Sequence, residues 1–202
     1  MNINHLLFLA FFMVLSQSFS QKTKAELIFK DGTLMKGLGE PTNVNNIRFR
    51  KERKAKKEFY SFEEVDTLKV YYDFNPTIFV IVKIKDKTVP KVLEVAHSGK
   101  NVTYFRDIEQ GYSAPTRTPT GGGGFFMSGG GAYNTTYSYL RKTDEKEAVY
   151  LGSSNWMTKN FKKGASDFFS DCPLLVKKIQ NRDFRKKDLK EIILFYNTEC
   201  DL

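Results

Sequence analysis

The chain has 202 residues and a formal net charge of +9, and 41% of its residues are hydrophobic, 14% aromatic and 27% charged. A chain of this length and apolar content can bury a real core, so wholesale disorder is excluded and one medium domain or two small ones are expected. Its aromatic residues are mainly Phe and Tyr, which favours strand-based packing around large rings.

Met1-Asn2-Ile3-Asn4-His5 leads into an apolar run from Leu6 to Leu15, followed by Ser16-Gln17-Ser18-Phe19-Ser20-Gln21. The run has the length of a signal-peptide core and is too short to span a bilayer. Ser18 and Ser20 flank Phe19 in the small-x-small pattern that signal peptidase needs, so a cut between Ser20 and Gln21 is expected. No Cys follows that position to take a lipid. Residues 1–20 carry no Lys, Arg, Asp or Glu, so the expected mature chain keeps the whole basic excess. Partners selected by charge are then anionic. For an exported, periplasmic or secreted protein the candidates are acidic polysaccharide, lipid headgroups or extracellular nucleic acid, of which nucleic acid is disfavoured. An anionic envelope polymer or a protein partner is expected, with basic charge that serves only solubility as the alternative. The longest later apolar run, Thr77 to Ile84, is of strand length, so no transmembrane segment is expected in the mature chain.

Ala25 to Lys30 and Thr33 to Gly37 flank Asp31-Gly32, a strong hairpin signal, because a two-residue type I′ turn needs positive φ at both positions. Ile47 and Phe49 alternate with Arg48 and Arg50, and Phe59, Tyr60, Phe62, Val65, Leu68 and Val70 supply a further apolar set. About five short strands are expected between Lys24 and Tyr72, suited to a small barrel-like sheet. Beyond Asn75-Pro76, strands are expected at Thr77 to Lys85, Lys91 to Ala96 and Val102 to Ile108, with another hairpin from Tyr137 to Arg141 and Ala148 to Leu151. The intervening Gly111 to Asn134 contains Pro115, Pro119, Gly121 to Gly124 and Gly129 to Gly131, and its composition predicts a mobile loop. Phe125, Phe126 and Met127 in its middle either dock on a partner or fold back onto the sheet, and the second is preferred.

Toward the C-terminal side the period changes. Leu189, Ile192, Ile193 and Tyr196 recur at helical spacing, and Pro173 opens a segment whose Leu175, Val176 and Ile179 share a face. A helical hairpin over Asp171 to Asn197 is expected, turning at Asn181-Arg182-Asp183. Such a hairpin brings the start of one helix to the end of the other, where Cys172 and Cys200 stand, so a disulfide is expected, with two buried free thiols as the alternative. Closing that loop contributes ~3.6 kcal/mol in the chain-entropy model. The spacing is unlike that of redox-active C-x-x-C pairs.

Catalytic chemistry is sparsely supplied. Outside the expected signal peptide His97 is the one histidine, which is too little for a familiar zinc site, and no G-x-S-x-G elbow marks a serine nucleophile. Gly99-Lys100 fails as a phosphate loop because the flanking positions are Glu94 and Asn101. Gly121 to Gly124 lacks the strand-to-helix setting of a dinucleotide fingerprint, so no cofactor is expected. Glu63, Glu64 and Asp66 could serve sugar hydrolysis as paired acids, but Phe62, Val65 and Leu68 explain that segment as packing. The densest basic stretch is Arg48, Arg50, Lys51, Arg53, Lys54, Lys56 and Lys57, interrupted by Glu52. At a hairpin tip it either grips phosphate or sulfate groups or remains a solvated tip that discourages edge pairing.

Lys30-Asp31-Gly32-Thr33 leading to Gly37, the Ser-Gln cleavage pattern, Phe169-Ser170-Asp171-Cys172-Pro173-Leu174 and Phe195-Tyr196-Asn197 resemble a group of uncharacterised exported proteins common in Bacteroidetes-type bacteria. The resemblance implies export and a shared fold, and it brings no catalytic residues. The expectation is an α+β protein. After the signal peptide (1–20) come a small antiparallel β module (21–75), a second β hairpin region (76–158, with the Gly-rich loop 111–134) and a C-terminal helical segment (159–202). Its expected role is a non-enzymatic binding or scaffolding protein of the cell envelope, with a carboxylate-dependent hydrolase of envelope polysaccharide, drawing on Glu63, Glu64, Asp66 or His97, as the alternative.

Overall fold

The computed structural model describes residues 23–42, 45–154 and 161–200. The expected signal peptide and its cleavage site at Ser20–Gln21 lie outside the described residues.

Alternating side chains build the first strands. In β1 (Lys24–Phe29), Ala25 and Leu27 are buried, and in β3 (Asn46–Arg50), Ile47 and Phe49 are buried while Arg48 faces solvent. With β2 (Leu34–Pro41), β4 (Glu58–Ser61) and β5 (Val65–Tyr71) these strands wrap around one core made of Leu27, Phe49, Phe62, Leu68 and their neighbours. The β1–β2 hairpin forms, but across four residues rather than two. Phe29 N–H donates to the Thr33 carbonyl at 2.9 Å, and Gly32 alone takes a positive φ, +86°. The Asp31 carboxylate accepts from Thr33 N–H at 2.8 Å, which stabilises the wider turn. Gly37 lies against the Arg50 carbonyl and the Phe49 ring, so a Cβ there would collide with both.

The expected small barrel does not close. The second edge of β5 pairs with β6 (Thr77–Ile84), not with β4, and the strands continue through β7 (Lys91–Ser98), β8 (Val102–Ser113), β11 (Gly131–Lys142) and β12 (Glu147–Ser153). The result is one ten-stranded sheet ordered β12-β11-β8-β7-β6-β5-β1-β2-β3-β4. Two parallel pairs, Glu147 with Lys83 and Ala148 with Ile84, fasten β12 back to β6, while β4 stands at the far edge. Strand β6 serves two cores. Phe79 and Ile81 pack on the first, and Val80, Val82 and Ile84 on a second with Leu93, Phe105, Tyr139 and Ala148.

The segment expected as a loop carries strands. The β8–β11 ladder runs for twelve pairs, from Val102–Lys142 to Ser113–Gly131. Beyond it β9 (Thr116–Pro119) and β10 (Phe125–Ser128) pair in their own two-stranded sheet. Phe125, Phe126 and Met127 do not fold back onto the main sheet, and all three are exposed.

Three helices cover one face: α1 (Phe161–Phe168), α2 (Pro173–Gln180, with Pro173 in its first turn) and α3 (Leu189–Glu199), the last preceded by a 3₁₀ turn at Lys186–Asp188. The expected hairpin is therefore present as α2 and α3. Between them Arg182 takes φ 68°, the left-handed conformation that ends a helix, and Asn181 N–H donates to the Lys177 carbonyl at 2.9 Å. A third core joins the helices to the sheet: Phe169, Leu175, Ile179, Ile192 and Ile193 meet Val102 and Leu140.

Three fasteners hold this layer. Cys172 and Cys200 stand at disulfide distance, Cα to Cα 5.7 Å and 28 positions apart. The Asn197 side-chain oxygen accepts from the backbone N–H of Asn101 at 2.7 Å and of Val102 at 3.3 Å, while its Nδ2 donates to Ile193 O at 2.8 Å. Asp171 accepts from Lys142 Nζ at 2.6 Å and from the Tyr196 hydroxyl at 2.7 Å. Burial opposes ionisation of Asp171, but the hydrogen bonds from Lys142 and Tyr196 outweigh it and hold its pKa below the ordinary aspartate value.

The folded pKa of Asp171 lies below the unfolded one, so its contribution is present above about pH 4 and lost as pH falls through the folded value. Urea midpoints taken from pH 5 downward should therefore decline, and Asp171→Asn should flatten part of that decline while lowering stability at pH 7. Replacing both cysteines by Ser should lower the unfolding free energy by about 2–4 kcal/mol in urea titrations, because the unfolded chain regains the entropy of a closed loop.

Candidate functional site

A cleft of about 1040 Å³ opens where the β2–β3 connection, the end of β5 and strands β6, β7, β8 and β11 converge. Register places its groups. Glu94 on β7 lies between Phe79 on β6 and Arg106 on β8, and Asp107 on β8 faces Tyr137 on β11. Asn45 sits at the rim with φ 56°, a conformation asparagine tolerates better than most residues. Its Nδ2 donates to the Pro90 carbonyl at 3.1 Å and its Oδ1 accepts from Val92 N–H at 3.3 Å, tying the rim to the β6–β7 turn.

Each carboxylate of the cleft is committed to a partner. Arg106 Nη2 donates to Glu94 Oε1 at 2.6 Å, Lys91 Nζ lies 2.6 Å from Asp107 Oδ2, and the Tyr137 hydroxyl donates to Glu109 Oε2 at 2.8 Å. That hydrogen bond, reinforced by burial, raises the Tyr137 pKa, and burial together with the Asp107 charge pushes Tyr139 up to about 12. Both phenols therefore remain neutral near pH 7. The lining also offers aromatic surface from Tyr72 and Phe79, and Lys91 Nζ stands 5.7 Å from the Tyr137 ring centre. Arg106 Nε is buried without a hydrogen-bond partner among the described residues. Such a donor is costly to bury and is satisfied when an acceptor oxygen reaches it.

The residues singled out in the sequence lie elsewhere. The basic stretch forms the β3–β4 hairpin tip, with Lys51, Arg53, Lys54, Lys56 and Lys57 exposed. Arg48 pairs with Glu40, and Arg50 Nη1 donates to the Arg53 carbonyl at 3.5 Å. This tip is at the opposite end of β3 from Asn45, so the structure does not bring it into the cleft. Glu63 and Glu64 occupy the exposed β4–β5 turn, Asp66 points outward from β5, and His97 is exposed near the end of β7. None of these four lines the cleft. Among the described residues no group of three or more His, Cys, Asp or Glu stands close enough to hold a metal ion, and no helix is long and apolar enough to cross a membrane.

The cleft was not anticipated, because its walls come from six separate elements of the chain. The sequence signal that pointed toward it was the Tyr137 and Tyr139 alternation, which places two phenols on one face of a strand. Comparison with protein-family models, with curated proteins and with solved structures gives no match.

Exchanging Arg53, Lys54, Lys56 and Lys57 for Gln should weaken retention on a heparin column by roughly tenfold or more at low salt, since each exposed charge contributes about 0.3–1 kcal/mol. Unchanged elution would show that the tip is only a solvated turn.

Proposed function

We propose that this chain is an exported, non-enzymatic binding module of the bacterial cell envelope, which seats saccharide units of an anionic envelope polymer in the cleft. The observation that carries this reading is the pairing of aromatic surface with hydrogen-bonding groups that are already locked in place. Tyr72 and Phe79 offer flat apolar faces, Glu94, Asp107 and Glu109 are fixed by their partners, and the buried Arg106 Nε lacks an acceptor. A sugar ring presents this combination in reverse, with apolar C–H faces and a rim of hydroxyl oxygens.

Hydrolysis by the same cleft would need one carboxyl free to deliver a proton and a second free to activate water or attack the sugar. Here each of the three acids is occupied by Arg106, Lys91 or Tyr137. The basic β3–β4 tip supplies a second, electrostatic contact for a long polyanion and speeds its encounter with the protein. The apolar N-terminal run and the small-x-small pattern at Ser18 and Ser20 support the export part of this reading, as does the resemblance to exported Bacteroidetes-type proteins.

Titration calorimetry with size-fractionated acidic envelope polysaccharide should give saturable binding, with chromatography of the incubated polymer showing no shortening. Tyr72→Ala should weaken binding by about tenfold through loss of its apolar face. Equal binding by wild type and Tyr72→Ala would remove the cleft as the site, and shortened polymer would establish a hydrolase.

A further inference from the structure

The β9–β10 ribbon has a composition unlike the rest of the chain. Between residues 110 and 140 the one charged side chain is Arg117, although 27% of all residues are charged. Its end is apolar and open: Phe125 is 55% exposed, Phe126 66% and Met127 67%, with Tyr112 70% exposed behind them.

The register decides what can cover these groups. Phe125 and Met127 project on one face of the ribbon, opposite Pro119 and Arg117, while Phe126 projects on the other. A ribbon that docks on a folded protein surface buries one face and keeps the other polar. Here both faces carry large apolar groups, so the fitting medium is one that surrounds the end. Backbone polarity does not oppose this. The four β9–β10 pairs, together with Thr120 N–H to the Gly124 carbonyl at 2.8 Å and Gly123 N–H to the Thr120 carbonyl at 3.2 Å, satisfy much of the main chain internally.

We propose that this ribbon end inserts into the interface of an anionic lipid bilayer. Arg117 supplies the charge match. Its guanidinium lies 3.9 Å from the centre of the Phe125 ring, at the level of the apolar cluster, where it can meet a lipid phosphate while the ring enters the acyl boundary. The chain's net charge of +9 adds long-range attraction to an anionic surface, and no carboxylate between residues 110 and 140 opposes it.

The test uses the full chain and phosphatidylcholine vesicles with and without phosphatidylglycerol, some carrying brominated acyl chains that quench nearby indoles. Phe126→Trp places a reporter on the ribbon, and the parent chain, with its native Trp156, supplies the background. The Phe126→Trp chain should show a blue-shifted, bromine-quenched emission beyond that background, only when phosphatidylglycerol is present. Adding Phe125→Ser and Arg117→Gln to it should weaken the lipid dependence of that signal by about tenfold, with an unchanged far-ultraviolet spectrum. Vesicle binding without quenching of the introduced indole would place attachment elsewhere and overturn the proposal. So would an absence of any lipid effect, or a dimer in sedimentation that Phe125→Ser abolishes, because the cover would then be a protein or a second copy.

Discussion

The ladder between β8 and β11 is the constraint on which the other features depend. Its twelve antiparallel pairs are far longer than the hairpins around it, and each third of its length is used differently. At the root, Val102, Tyr104 and Leu140 face the helices, while Phe105 and Tyr139 face the second core. In the middle, Arg106, Asp107, Glu109 and Tyr137 contribute one wall of the cleft. At the far end the strands leave the body and hand over to β9 and β10. A one-residue slip would turn every side chain to the opposite face, so core, cleft and ribbon would be lost together. Burial of the root on both faces is what makes such a slip prohibitive.

The helical layer protects that root. Asn197 receives the backbone N–H groups of Val102, the first residue of the ladder, and of Asn101 just before it. Position 99 is equally constrained, since any Cβ at Gly99 would collide with the Asn197 amide. Lys142, the last residue of β11, reaches Asp171 at the start of the helical hairpin. Both members of the root pair of the ladder, Val102 and Lys142, are thus fixed, one to α3 and the other to the turn before α2, and Cys172 with Cys200 clamps those two places to each other. Rigidity at the root is a physical requirement for a site whose aromatic and charged groups must hold a common orientation.

Local patterns were legible in the sequence and long-range ones were not. The five strands before Tyr72 follow from two-residue alternation, and the α2–α3 hairpin follows from Leu189, Ile192, Ile193 and Tyr196 with Pro173 as a start signal. The Cys172–Cys200 pair follows from that hairpin. Helix α1 falls inside the expected helical segment 159–202 but does not stand out as a separate helix, because Gly164 and its lysines weaken the signal, although Phe161, Ala165 and Phe168 keep helical spacing. The ribbon was missed for a compositional reason: Gly, Pro and Thr dominate it, and pairing of Pro119 with Phe125 has no trace in either strand taken alone. The open sheet replaced the expected barrel because nothing in residues 24–72 reveals that β6 competes for the edge of β5. The cleft depends on that same strand order.

The return of β12 to β6 also governs how fast the molecule can assemble. Glu147 finds Lys83 across an intervening chain that must itself be folded into β7, β8 and β11 before the two edges align. Pairings this distant repay their loop-closure entropy late, so the folding time of such a sheet lies in the range of about milliseconds to seconds, and not the microseconds of helical bundles. Until that step only the end of β6 beyond its pairing with β5 is open, and the lysines at 83 and 85 stand where a stray strand would otherwise attach.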